Sequence, residues 1–172
     1  MSTRKTINTI DVRADLPVII PAAKNWWKWN GADWHLWQDW QSHIETESFA
    51  FHLAIESGFK TDGGSIPPAF QNIYRPLGKY LLTFIIHDAL YAGELCTRAE
   101  ADWIMLELLE YQGACWARRN TIYSAVRVGG GIVWAGHTKK SIEHSRNFLR
   151  FTPVRGFSNN INNNINKCRS AS

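Results

Sequence analysis

Hydrophobic and polar residues change their spacing part-way along the chain. In SFAFHLAIE, residues 48–56, Phe49, Phe51, Leu53 and Ile55 fall on one side and Ala50, His52 and Ala54 on the other. A period of two is that of a strand buried on one face. It leaves His52 on the weaker face, with no role assigned to it. Upstream, the apolar run LPVII, residues 16–20, predicts one buried strand. Asn30-Gly31, between aromatic segments, predicts a hairpin turn.

The character changes at GFKTDGGSIPPAF, where Gly58, Gly63, Gly64, Pro67 and Pro68 predict an ordered loop rather than a regular element. A helix is then expected from about Pro76–Lys79 to Gly93, a residue that commonly ends helices. A second is expected from Thr97 to about Gly113. Its opening, TRAE, is a capping box: Thr97 accepts from the amide of Glu100 and Glu100 reaches back. A third should cover Trp116 to about Val128 and stop at GGG, and residues 132–150 are amphipathic but poorly punctuated. From Gly156 the chain reads GFSNNINNNINKCRSAS, an asparagine-rich stretch of low complexity. The expected architecture is α+β: a small antiparallel N-terminal sheet followed by a helical half with an antiparallel helix pair. One domain is expected over residues 1–155, and a disordered tail over 156–172.

Composition narrows the classes of function. The 172 residues are 45% hydrophobic, enough for one packed core and against general disorder. Of the net charge of +4, three charges come from Arg155, Lys167 and Arg169 in a stretch without acids. The nearly balanced remainder offers no basic face, so no nucleic-acid partner is expected. Cys96, Cys115 and Cys168 lack CxxC spacing and are odd in number, which predicts neither a thiolate metal site nor a disulfide framework. That usage fits a reducing compartment, here a cytoplasm. No apolar run reaches the roughly 20 residues of a membrane span. Six of the nine tryptophans lie from Trp26 to Trp40. They suit either a hairpin covering a small core or a contact surface for a lipid, a sugar or a partner protein.

The candidate chemistry sits inside the most apolar helices. FIIHDALYAGELCTRAEADW places His87 and Asp88 in one apolar run and Asp102 in the next. His87 and Tyr91 are four apart and share a helix face. With only a short link between the helices, His87 and Asp102 reach matching levels, so Asp102 can hydrogen-bond the imidazole and hold it as a base. Arg98, four residues before Asp102, is expected to pair with it or with a helix neighbour. Asp88 is costly to bury alone. A calcium ion is one partner that would offset this, with Asp62 and the carbonyls of Gly63 and Gly64 from the TDGGS loop as further ligands. Ser65 and Tyr91 are candidates for contact with substrate or a developing oxyanion. Their structural alternatives are a turn brace for Ser65 and a core aromatic for Tyr91.

The order of a Gly-rich loop, a helical HDxxY and a carboxylate on the next helix resembles secreted phospholipases A2, especially the short prokaryotic ones. That resemblance implies His87 as water-activating base, Asp88 as calcium ligand and Asp102 as orienting acid. The bracing cysteines of those enzymes are missing, and no secretion signal is expected from the first residues. A second resemblance covers about residues 55–135. GFKTDGGSIPPAF, IIHDALY, TRAEADWIMLELLEYQG and IYSAVRVGGGIVW are similar, in order, to the motifs of the family called domain of unknown function 1353, found mostly in bacteriophages and prophages. It implies a phage origin and no established activity. Two functions follow as expectations. One is a phage-encoded His–Asp hydrolase acting on a lipid ester or envelope component. The other is a non-enzymatic virion or assembly protein, its His–Asp core structural and its Trp26–Trp40 region docking on phage structural proteins. Either would be made in the host cytoplasm, the second destined for the virion.

Overall fold

The computed structural model describes residues 11–13, 16–21, 34–61 and 79–158. Seven strands and four helices lie within them. They are β1 (Asp11–Arg13), β2 (Ile19–Pro21), β3 (Trp34–Leu36), β4 (Trp40–Glu45), β5 (Ala50–Ile55), β6 (Lys60–Thr61), α1 (Leu81–Ala92), α2 (Arg98–Tyr111), α3 (Trp116–Ala135), α4 (Lys139–Arg146) and β7 (Leu149–Arg155). The strands form two antiparallel sheets, ordered β1-β4-β5-β7 and β2-β3-β6. The protein is α+β.

The alternation read in residues 48–56 organises the larger sheet. Phe51, Leu53 and Ile55 are buried on one face of β5 while His52 is exposed on the other. Trp40, Ile44, Leu149 and Phe151 extend the apolar face across β4 and β7. Onto it pack Ile85, Ile86, Ala89 and Leu90 of α1 and Ala101, Ile104 and Leu108 of α2. Truncating one such leucine or isoleucine to alanine costs about 2–5 kcal/mol. A second cluster, with Tyr80, Phe84, Met105, Leu109 and Ile122, joins α1, α2 and α3. Helix α1 therefore lies between the sheet and the other helices, which explains why it is apolar almost all round.

Several expectations are corrected. LPVII is not one buried strand: only its last two residues enter β2, and Leu16 is 77% exposed. The loop predicted from Gly58 opens with a turn there but then enters β6, while residues 62–78 and the turn expected at Asn30-Gly31 lie outside the described residues. α3 does not stop at GGG but runs to Ala135, for a reason found at the site below. The poorly punctuated stretch resolves into α4, opened by a capping box at Thr138, and β7. β7 pairs with β5, so the main sheet is completed from the far end of the chain rather than being N-terminal throughout.

The tail boundary also moves. Gly156 has φ +90°, and a Cβ there would run into the Ser48 carbonyl oxygen, so only glycine turns the chain at this point. The turn lays Phe157 against Phe49, Phe51 and Phe151, with ring centroids 5.1, 5.8 and 5.3 Å away. Ser158 donates from its amide to Glu100 at 2.7 Å. The folded body thus continues through Ser158, and the rest of the predicted tail lies outside the described residues. Truncation after Arg155 should cost about 2–3 kcal/mol and lower Tm by roughly 4–12 °C, whereas truncation after Ser158 should leave Tm unchanged. Thermal unfolding of both variants checks this; equal melting would mean that Phe157 contributes nothing.

Candidate functional site

Helices α1 and α2 run antiparallel. As numbers rise along α1 their partners fall along α2: Thr83 donates to Gln112 at 2.5 Å, His87 meets Asp102 at 3.0 Å, and Arg98 donates to Tyr91 at 3.3 Å. The capping box at Thr97 starts α2 where the sequence places it. The start and the short link together bring Asp102 level with His87.

Asp102 is 0% exposed, and both its oxygens are occupied. Oδ1 accepts from His87 Nε2 at 3.0 Å and from the Tyr91 hydroxyl at 2.7 Å. Oδ2 accepts from Arg127 Nη1 at 2.8 Å and pairs with Arg98 Nε at 3.7 Å. Burial pushes the Asp102 carboxyl up, but the hydrogen bonds from His87, Arg127 and Tyr91 outweigh it and hold the group below the usual carboxylate range. Burial and the bond to Asp102 push the Tyr91 hydroxyl well up, which keeps it a donor. Because Asp102 is ionised, His87 presents Nε2–H to it, and a neutral imidazole then carries its lone pair on Nδ1. Nδ1 has no hydrogen-bond partner among the described residues. The His87 ring rests on that of Tyr91, 4.3 Å between centroids, one helical turn away.

Asp88 is half-buried beside His87 on α1 and accepts a hydrogen bond from the Thr61 hydroxyl at the end of β6. This brings the start of the predicted loop against the helix. Asp62, Gly63, Gly64 and Ser65 themselves lie outside the described residues. Among the described residues no three His, Cys, Asp or Glu side chains are grouped to hold a metal ion. Of the proposed calcium ligands, Asp88 alone is described, and a half-buried carboxylate is of the hard oxygen type that calcium takes.

Sequence reasoning missed the contribution of α3. Arg127 reaches Asp102 from that helix, and Arg98 donates to the Arg127 carbonyl. Both contacts require α3 to come close. A Cβ on Gly130 would stand 2.7 Å from the Tyr91 hydroxyl, and one on Gly131 would stand 3.0 Å from the Arg98 guanidinium. GGG is therefore not a stop signal: it is the flat part of a continuing helix where the polar cluster is packed. The available signal was that the three glycines stand between a predicted helix and the amphipathic segment 132–150, so one helix could run through them at a cost of about 1 kcal/mol per glycine.

The fold and the site together define an α+β protein whose three central helices share a polar cluster: His87, Tyr91 and Asp102 are buried in it, Arg98 is half-buried and Arg127 closes it from the surface. The chain belongs to the family described as protein of unknown function (DUF1353), whose model matches residues 34–126, just over half of the chain. The matched segment contains His87, Asp88, Tyr91 and Asp102 and ends one residue before Arg127. No curated protein and no solved structure matches the chain significantly. No helix among the described residues is long and apolar enough to cross a membrane.

Two outcomes follow from this geometry. Gly130→Ala should destabilise by about 1–3 kcal/mol, because forcing Tyr91 off Asp102 outweighs the helix-propensity gain. Gly136→Ala, whose Cβ meets only ordinary contacts at 3.4 Å, should be nearly neutral. Chemical denaturation of the two variants makes the comparison. Asp102→Asn tests the charge. The folded-state pKa of Asp102 lies below its unfolded value of about 3.9, so its contribution is full above that value and is lost as pH falls through the folded one. The variant should be less stable than wild type by about 3–5 kcal/mol near neutral pH, and the gap should narrow steadily under acid. A gap independent of pH would show that Asp102 acts by shape alone.

Proposed function

We propose that the chain is a hydrolase in which His87 activates water and Asp102 orients it, acting on a lipid ester or another ester-bearing envelope component. The observation that carries this reading is the 3.0 Å bond from His87 Nε2 to Asp102, which assigns the basic lone pair to the other ring nitrogen, Nδ1. In the proposed step, Nδ1 removes a proton from water as its oxygen bonds to the ester carbonyl carbon. The imidazolium then returns the proton to the leaving alkoxide as the ester C–O bond breaks. A calcium ion at Asp88, with Asp62 and the Gly63 and Gly64 carbonyls, would supply positive charge to the developing oxyanion. Ser65 belongs to the same proposed oxyanion side. Tyr91 does not, because its hydroxyl already donates to Asp102. A phage setting is part of the proposal and rests on the resemblance of the motifs alone.

The second reading is a virion or assembly protein with a structural core. What favours it is the saturation of Asp102, whose charge is already neutralised by two arginine partners, as in a purely structural network. Of the described tryptophans in the proposed docking region, Trp40 is core and Trp37 is 62% exposed.

His87→Asn separates the two. The amide can still hydrogen-bond, but it is no base near neutral pH. On the enzyme reading the variant folds normally and loses on the order of 100-fold or more of the hydrolysis of a mixed lipid and envelope extract. A wild type inactive on every extract, with and without calcium, together with a variant destabilised by roughly 1–3 kcal/mol, would leave the structural reading.

A further inference from the structure

The outer face of the main sheet carries two histidines that the polar cluster does not use. His43 on β4 and His52 on β5 are register partners. Thr46 donates its amide to the Phe49 carbonyl at 2.7 Å, closing the hairpin with a hydrogen-bonded pair. Counting back by alternation, His43 and His52 form a non-hydrogen-bonded pair, the type in which facing side chains come closest. Their ring centroids are 4.4 Å apart, with planes tilted by 40°. His52 is exposed and His43 half-buried. The Nδ1 atom of His43 is buried and has no hydrogen-bond partner among the described residues. A buried polar nitrogen without a partner is uncommon enough to need a cause.

We infer that His43 and His52 form a two-imidazole site for a borderline divalent transition-metal ion such as zinc or nickel. Imidazole nitrogen is the ligand type that these ions select. Two nitrogens, each about 2.0–2.1 Å from one ion, stand roughly 3 Å apart. Rings with centroids 4.4 Å apart reach that arrangement by side-chain rotation, without moving the strands. Ligation supplies a partner at the pair that holds the orphaned nitrogen. Along the same row the neighbours are Arg13 on β1 and Thr152 on β7. Neither is a strong ligand, so among the described residues the remaining coordination positions are left to water or to a ligand from outside. The site is independent of the His87 chemistry and lies on the opposite face of the sheet from the helices.

The test is calorimetric titration of tag-free, full-length protein with zinc chloride and with nickel chloride. The expected result is about one ion per chain, with His43→Asn and His52→Asn each weakening binding on the order of tenfold or more. The exposed control His144→Asn should bind as wild type does. Affinity should fall as pH drops, because protons compete with the ion for the ring nitrogens. Nitrogen NMR of the wild-type imidazoles gives a readout that needs no variant: the resonances of His43 and His52 should shift on adding zinc, and those of His87 should not. No binding at millimolar metal overturns the inference. So does binding that survives both substitutions, or a shift confined to other histidines.

Discussion

The buried charge of Asp102 is the constraint on which the helical half depends. A carboxylate with no exposure is tolerable only when donors replace the water it has lost. Here they come from three helices: His87 and Tyr91 from α1, Arg98 from the same helix as Asp102, and Arg127 from α3. The donors from α1 and α3 each fix a distance to the axis of α2, so the requirements of one charge set the packing of all three. Apolar contacts between α1 and the sheet supply most of the burial, but they are not directional. The polar cluster selects one register among the packings that such contacts allow.

That requirement explains the least helix-like part of the longest helix. Gly130 and Gly131 weaken α3 locally, yet they let it approach the Tyr91 hydroxyl and the Arg98 guanidinium. The local loss is offset by saturating Asp102, so a rule of local propensity is broken where a tertiary need overrides it. The same cluster bears on function. Saturating the carboxylate steadies the imidazole through Nε2 and leaves Nδ1 with no partner among the described residues, as a general base needs. It also spends part of the negative charge on arginine, as a purely structural network would. Both readings draw on the same bonds, and they part only in what Nδ1 does.

The two faces of the main sheet divide the molecule. The inner face is closed by α1 and α2 and carries the core. The outer face carries the His43–His52 pair and the exposed side chains of β7. A metal ion bound there would join β4 to β5 through side chains, over backbone pairing that already exists.

The sequence by itself determined the elements whose signals are local. The alternation around Phe51 made a one-sided strand, the Thr97 capping box started α2, and the short link after Gly93 turned the chain back so that His87 and Asp102 met. Each depends on residues within a few positions of one another, so spacing alone makes it readable. Only the tertiary structure decided the rest. β7 reads weakly by itself and becomes a strand because β5 has a free edge to pair with. Phe157 is ordered because Phe49, Phe51 and Phe151 surround it, although its neighbours in sequence look like the start of a disordered tail. Gly130 and Gly131 are glycines within a helix because Tyr91 and Arg98 leave no room for side chains there, and Arg127 joins the site from twenty-five residues away. These outcomes depend on which surfaces come together after the local elements have formed, and no short window of sequence contains that information.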